Sequence, residues 1–283
     1  MTDGEAFLIS WHARHAGTSA EVFGRASDSA GRNSYDRLAA ALPAEGDVLD
    51  LACGDGMLLA TIAARSPRAG LTGIDMTPAE VDAAQRRFAD SPAPRGRGPG
   101  ASASVGQERP YPRAGVRVVV GNAQALPFAD ATFDVVTCHM ALMLMDQVDD
   151  VIGEVRRVLR PGGIFVGTVG ADSPPGGAAS ILAALGVLRR QLEIPHGADF
   201  GDARCRTPAE LAVLLAGFEG FEHEVFDVEA EIPHGELGAF LRESYYGLDD
   251  LPIAEVAALL EGLDLPAVVR WPFRMVQFRA RRG

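Results

Sequence analysis

The stretch V-L-D-L-A-C-G-D-G, residues Val48–Gly56, indicates more about the fold of this 283-residue chain than any other. An apolar run ends at Leu51, two glycines follow closely, and a second apolar run extends over Met57–Ala64. This order predicts a buried strand, a glycine turn and a helix. Asp75 ends the next apolar stretch. In folds of this kind, an acid at the end of that strand can bind the hydroxyl groups of a ribose. Because glycines let the backbone approach a ligand closely, we predict a site for a nucleoside-bearing cofactor.

The turn itself favours a cationic ligand over a dinucleotide. A dinucleotide fingerprint requires a third glycine, and Leu59 stands in its place. The turn carries the acids Asp50 and Asp55 and no basic residue. Two anions would repel a pyrophosphate, whereas they suit a ligand that carries an ammonium and a sulfonium group.

The pattern Asp50-x-x-x-Gly54-x-Gly56 resembles motif I of the class I S-adenosylmethionine (SAM)-dependent methyltransferases, which reads (D/E)-x-x-x-G-x-G. Within this family, the pattern is most similar to the ubiquinone/menaquinone C-methyltransferase-like group and to small-molecule methyltransferases of bacterial natural-product pathways. The later motifs follow in the family's order between residues 47 and 169: Gly73–Met76, Gly121–Ala123, Leu126–Phe128, Phe133–Val136 and Arg157–Gly163.

The resemblance implies the fold and the cofactor. The fold is α/β, a Rossmann-like, doubly wound, seven-stranded and mostly parallel sheet with a final antiparallel strand and helical lid or cap insertions. The cofactor is SAM. At Asn122, where the family usually has aspartate, the amide oxygen would accept from the adenine amino group. The cofactor-binding candidates are Tyr35, Asp50, Ala52, Cys53, Gly54, Gly56, Asp75, Met76, Asn122, Ala123 and Cys138.

The pattern along the chain predicts the elements and three regions. Thr77, Pro78 and Glu80 predict a capping box at a helix start, and Thr207–Glu210 repeats the same four letters. The regions are a helical lid segment, 1–43, a SAM-binding core, 44–172, with a disordered insertion at 91–115, and further strands with a helical substrate cap, 173–283. The predicted strands are Val48–Leu51, Leu71–Asp75, Val116–Gly121, Phe133–His139 and Ile164–Val169, with His223–Glu229 and Phe273–Ala280 as an antiparallel pair.

His139, at the end of the fourth strand, is the candidate catalytic base. Histidine alone titrates near neutral pH without perturbation; the alternative interpretation is a hydrogen-bonded structural imidazole. His12 and His15 could face one side of a helix, but no third ligand is apparent, so we predict no metal. The candidates for the substrate pocket, with core packing as the alternative for the methionine, are His139, Met143, Tyr245, Tyr246 and Trp271.

Composition restricts the partners. The net charge of −12 offers no basic surface for a nucleic acid. The 26 basic residues are all arginines, which excludes lysine chemistry. Three cysteines without a C-x-x-C pair indicate reduced thiols in the cytoplasm, and no apolar run reaches the length of a membrane span. The sequence leaves open whether the protein is a monomer or a homodimer.

These observations predict a SAM-dependent methyltransferase that acts on a small-molecule acceptor in bacterial secondary metabolism. Three alternatives remain. One is an NAD(P)-dependent Rossmann oxidoreductase, which the missing third glycine disfavours. Another is a non-catalytic SAM-binding subunit, which the motifs do not exclude. An aminopropyl transferase would share the fold but would carry additional pocket acids that the sequence does not show.

Overall fold

A computed structural model of the chain describes residues 1–89, 115–171, 201–243, 251–261 and 265–283. The predicted insertion at 91–115, apart from Gly115, lies outside these ranges, as do Tyr245 and Tyr246. The strands are β1 Asp47–Leu51, β2 Gly70–Asp75, β3 Val116–Val120, β4 Phe133–His139, β5 Leu159–Gly170, β6 Glu219–Pro233 and β7 Val268–Arg281. The helices are α1 Asp3–Arg14, α2 Thr18–Arg25, α3 Ser34–Ala40, α4 Met57–Arg65, α5 Pro78–Ala89, α6 Val148–Val158, α7 Pro208–Leu214, α8 His234–Arg242 and α9 Ile253–Glu261.

The seven strands form one sheet in the order β3-β2-β1-β4-β5-β7-β6. The first five pair in parallel, and β7 runs antiparallel between β5 and β6. The predicted fold class is therefore confirmed. The chain order reverses between β1 and its neighbour β4, which creates the switch point where ligands bind in sheets of this kind.

The strands form where the sequence alternates or runs apolar. All five residues of β1 are buried, as expected of a central parallel strand covered on both faces. Strand β5 begins at Leu159, earlier than predicted, because the Pro161–Gly163 segment is accommodated as an irregularity in its pairing with β4. The final two strands are also longer than predicted. In β6, Phe226, Val228, Ala230 and Ile232 point inward between exposed residues.

Helices cover both faces of the sheet. Helix α6 buries Val148, Val151, Ile152 and Val155 against one face, and α3, α4 and α5 cover the other. Helix α7 begins as predicted, because the Thr207 side chain accepts a hydrogen bond from the Glu210 N–H at 3.3 Å. None of the helices within the described ranges is both long and apolar enough to cross a membrane.

A separate apolar cluster joins α8 and α9 to the β6–β7 end of the sheet. Trp271 belongs to this cluster, is only 4% exposed and packs edge-on against Phe240 at 5.0 Å between ring centres. Trp271, a predicted residue of the substrate pocket, thus lies in this second core.

Candidate active site

Two cavities that share part of their walls open at the carboxyl ends of β1, β2 and β4. The smaller has a volume of about 90 Å³ and the larger of about 410 Å³. Ala52 and Asp75 line both cavities. The switch point of the sheet thus carries a two-part pocket, and the sequence motifs converge on it.

The glycine turn after β1 brings backbone N–H groups to the pocket. Ala52 and Gly54 adopt left-handed conformations, with φ of 52° and 53°. Asp75 accepts hydrogen bonds from the Gly54 N–H at 2.9 Å and from the Thr77 N–H at 2.8 Å. Burial raises the pKa of Asp75. The predicted ribose ligand therefore stands where the two cavities meet and also holds the turn in place.

Gly56 lies directly before α4, where the backbone turns tightly. Its φ is 79°, and a Cβ added there would lie 2.9 Å from the Phe88 ring and 3.2 Å from Ala84. Gly56 lines neither cavity. This glycine allows α4 to begin and α5 to pack closely, whereas Gly54 is the glycine that faces the pocket.

Asp50 is the buried acid of the pocket. Its side chain lies at the end of β1, is 1% exposed, and accepts a hydrogen bond from the Thr137 hydroxyl at 2.8 Å. Burial raises the pKa of Asp50 to about 7, although the Thr137 hydrogen bond lowers it and nearby Asp75 raises it further. Asp50 is therefore poised between its neutral and ionised forms near physiological pH.

Asp55 does not supply the second free negative charge that the sequence suggested. Arg87 of α5 forms an ion pair with its carboxylate and donates from Nε to its backbone oxygen at 2.8 Å. The pocket thus offers Asp50 and Asp75 to a ligand, while Asp55 is neutralised by its partner.

Three of the predicted cofactor-binding residues, Met76, Asn122 and Ala123, line the smaller cavity, and the Asn122 amide is engaged within the protein. The Asn122 oxygen accepts from the Gln124 N–H at 2.9 Å, and its Nδ2 donates to Glu5 Oε1 at 3.1 Å. The carboxylate of Glu5, carried in by α1, therefore occupies the polar end of this cavity beside Asn122.

The N-terminal helices are joined to the core by a second buried carboxylate. Glu80 is 2% exposed and accepts from His12 Nδ1 at 2.8 Å and from the Gly17 N–H at 3.1 Å. The predicted capping box at Glu80 is wrong, because both carboxylate oxygens are turned toward the N-terminal segment. In the part of the chain that is described, no three His, Cys, Asp or Glu residues are grouped to hold a metal.

An aromatic wall bounds the larger cavity. Tyr35 stacks on His139 with ring centres 4.0 Å apart, and Phe23 packs edge-on against both His139 and Phe273. His139 Nε2 is hydrogen-bonded to the Ser34 hydroxyl at 2.8 Å. Burial lowers the pKa of His139 to about 3, so its imidazole is neutral at physiological pH.

The pocket brings together most of the predicted site residues. Tyr35, Asp50, Cys53, Gly54, His139 and Met143 line the larger cavity, and burial raises the pKa of the Cys53 thiol. Cys138 does not line either cavity, because its side chain is fully buried in the core on the far side of the strand. Tyr245 and Tyr246 lie outside the described residues.

The cavity-lining residues that the sequence did not predict include Glu5, Leu8, Phe23 and Arg206. Leu8 and Glu5 lie on the inner face of α1, and a capping box formed with Thr2 marks the start of this helix. The capping box could be recognised in the sequence, but nothing in the sequence indicated that α1 packs over the pocket. Arg206 has no local signal at all.

Comparisons with known proteins agree with this geometry. Residues 49–167 match the family model described as a methyltransferase domain. The ubiquinone/menaquinone biosynthesis C-methyltransferase UbiE of Desulfotalea psychrophila is 37% identical over 121 residues, 43% of this chain and 40% of that protein. Demethylmenaquinone methyltransferase of Thermus thermophilus is 31% identical over 135 residues, 48% of this chain and 51% of that protein. The chain thus matches about half or less of the length of these curated relatives.

The fold is also found among solved structures. The YcgJ protein from Bacillus subtilis superposes with a TM-score of 0.52 at 17% identity, over 86% of this chain and 94% of that one. The motif-based resemblance is therefore confirmed for the segment that carries the glycine turn, and the architecture is confirmed beyond it.

Proposed function

We propose, from the premise that residues 49–167 form a methyltransferase domain, that the protein is a SAM-dependent methyltransferase acting on a small molecule. One observation carries the proposal. Asp75, beside the glycine turn, stands at the junction of a small cavity and a larger one. This arrangement suits a ligand with a nucleoside at one end and a charged chain at the other.

The pocket fits the parts of SAM. The adenine would occupy the smaller cavity between Leu8 and Ala123, where the Glu5 and Asn122 oxygens can accept from its amino group. Asp75 would bind the ribose hydroxyls. Asp50 and the Gly54 turn would face the methionine end, where a buried carboxylate favours a cationic group. The bound cofactor would supply an electrophilic methyl group for in-line displacement.

The residues of this chain would act mainly by orientation and exclusion of water. Positioned reactants gain an advantage worth roughly 7–11 kcal/mol in favourable cases. The aromatic wall of Phe23, Tyr35, His139 and Phe273 provides a dry surface against which an acceptor can be held. Helices α1 and α2, held by Glu5 and Glu80, cover the pocket. We propose that region 1–43 acts as a lid, 44–172 binds the cofactor, and 173–283 shapes the acceptor side.

His139 is better suited to accept a hydrogen bond than to act as a strong base. General bases work best when their pKa lies near the operating pH, and burial holds this one at about 3. We expect the His139 ring signals in an NMR titration, assigned with His139→Gln, to stay unchanged between pH 5 and 8. An inflection near pH 6.5 would restore the general-base interpretation.

The affinity for SAM is expected to rise with pH through the pKa of Asp50. The carboxyl is protonated in the free protein below about pH 7, because its pKa is raised there. A cationic ligand favours the ionised form, so binding releases a proton. Between pH 5.5 and 7.5 the affinity should increase roughly tenfold. Calorimetry with Asp50→Asn provides the control, since this variant should bind weakly with no comparable slope. A flat profile in the wild type would contradict the assignment.

The proposal is tested by titrating the protein with S-adenosylhomocysteine and, separately, with NAD⁺ and NADPH. Micromolar binding of the first and none of the others supports it, whereas the opposite result supports the oxidoreductase. Methyl-labelled SAM is then incubated with the protein and the low-molecular-mass fraction of a cell extract. Label transferred to a small molecule supports an enzyme. Binding without transfer supports the non-catalytic SAM-binding alternative.

The biological context is part of the proposal. The net charge of −12 supports a small molecule rather than a nucleic acid as acceptor. Three buried free cysteines are consistent with a reducing cytoplasm. We place the acceptor in bacterial secondary metabolism, and the genes that neighbour the coding sequence provide the test. Neighbouring genes for central quinone biosynthesis would contradict that placement.

A further inference from the structure

We propose that Arg206 selects an acceptor that combines an apolar, flat body with an anionic group, a carboxylate or a phosphate. This inference rests on the proposed methyltransferase function, because it names the acceptor class of the same pocket. It begins from the charges of the larger cavity, whose described acidic side chains all have partners. Asp55 pairs with Arg87, Glu80 with His12, Asp50 with Thr137, and Asp75 with two backbone N–H groups.

Arg206 is the exception among these charged groups. Its half-buried side chain lines the cavity, and none of the carboxylates in the described ranges forms an ion pair with it. Its neighbour Arg204 points elsewhere and is held by Asp149 and Asp202, each at 2.6 Å. A guanidinium that is partly removed from water is favoured by an anion beside it, which accepts charge-assisted hydrogen bonds. On the described part of the cavity wall, that anion is left for a ligand to supply.

The turn that carries Arg206 is packed against the core, which holds the backbone of Arg206 beside the cavity. This 3-10 turn, Ala203–Arg206, is anchored by the fully buried Cys205. The Gly201 N–H donates to Asp146 at 2.8 Å, and a Cβ at Gly201 would overlap the Met143 backbone. The turn thus packs against the connection that follows β4.

This location favours the acceptor over the cofactor as the source of the anion. The connection after β4 also carries Met140 and Met143 and continues the wall formed by His139. The glycine turn and Asp50, which would face the methionine end of SAM, lie at the end of β1. Phe23 and Phe273 add two further rings to the wall. Arg206 therefore lies on the side of the cavity where an apolar body would be held.

The test uses matched pairs of probes with the protein saturated with S-adenosylhomocysteine: benzoate and benzamide, 2-naphthoate and 2-naphthamide, and 2-naphthyl phosphate and 2-naphthol. Affinities are measured by ligand-observed NMR. In at least one pair the anion should bind about tenfold more tightly, as expected for a charge-assisted hydrogen bond. The ratio should fall to near one in Arg206→Gln. Comparison of the carboxylate and phosphate pairs identifies the preferred anion.

Arg204→Gln is the control, because it removes the same charge from the same turn outside the cavity. It should retain the preference, whereas a purely structural effect of the turn would lower the ratio in both variants. The proposal fails if no anion is preferred by the wild type, or if the preference survives in Arg206→Gln. It also fails if Arg206→Gln lowers the affinity for S-adenosylhomocysteine as strongly as the affinity for the anionic probes, since Arg206 would then bind the cofactor carboxylate. The binding of S-adenosylhomocysteine to the wild type tests the proposed function separately. If the wild type does not bind this ligand, the probe pairs can still be measured in its absence.

Discussion

Replacing Asp75 with alanine is expected to weaken the binding of S-adenosylhomocysteine by roughly 10- to 100-fold. Hydrogen bonds to a charged group contribute about 1.5–3 kcal/mol, and the proposed ribose contacts are of this kind. The substitution also leaves the Gly54 and Thr77 N–H groups without their acceptor. The melting temperature should therefore fall as well, because buried donors without partners are destabilising.

Calorimetry measures the affinity, and thermal unfolding measures the stability. Asp82→Ala provides the matched control, because Asp82 is an exposed acid of the adjacent helix α5. We expect it to leave both quantities nearly unchanged. Wild-type affinity in Asp75→Ala would show that the ribose is bound elsewhere.

Gly56→Ala is expected to destabilise the folded protein by about 1–3 kcal/mol, the range for overpacking and backbone strain. The left-handed backbone at φ 79° disfavours any residue with a Cβ, and that atom would meet the Phe88 ring at 2.9 Å. The affinity for S-adenosylhomocysteine should change less than the stability, because Gly56 lines neither cavity.

The same substitution at Gly153 should have the opposite sign. This glycine is an exposed interior residue of α6, and nothing lies within 4 Å of a Cβ added there. Alanine is favoured over glycine at such a helical position by up to about 1 kcal/mol. Urea unfolding of the two variants side by side separates the explanations. A similar loss at both positions would mean that the geometry at Gly56 is not the cause.

The sheet and the position of the pocket were predictable because their signals are local. Parallel strands buried on both faces appear as short apolar runs, and Val48–Leu51 was identified on this basis. The glycines and Asp75 follow at the strand ends, where the fold requires tight turns. The extension of β6 beyond the predicted end at Glu229 follows the same alternation, since every second residue from Phe226 to Ile232 is buried.

The electrostatic partners were not predictable, because they join distant parts of the chain. Asp55 and Arg87 are 32 positions apart, and His12 and Glu80 are 68 positions apart. At Glu80 the local pattern favoured a capping box, but the buried contact with the N-terminal segment prevailed. The position of Arg206 was not predictable for the same reason. Nothing near it in the sequence indicates that the acids of the larger cavity are already paired with other residues.

The antiparallel strand β7 has a consequence for the order in which the molecule is built. Strand β6 pairs with β7 and with no other named strand, so residues 219–233 cannot join the sheet until residues 268–281 are in place. During synthesis, the strands that carry the cofactor motifs leave the ribosome first and can pair with one another. Until β7 is in place, the apolar side chains of β6 lack their contacts with Val269, Trp271 and Met275 of β7. The nascent chain therefore passes through a stage in which β1 to β5 can assemble while β6 still lacks the strand that joins it to the sheet.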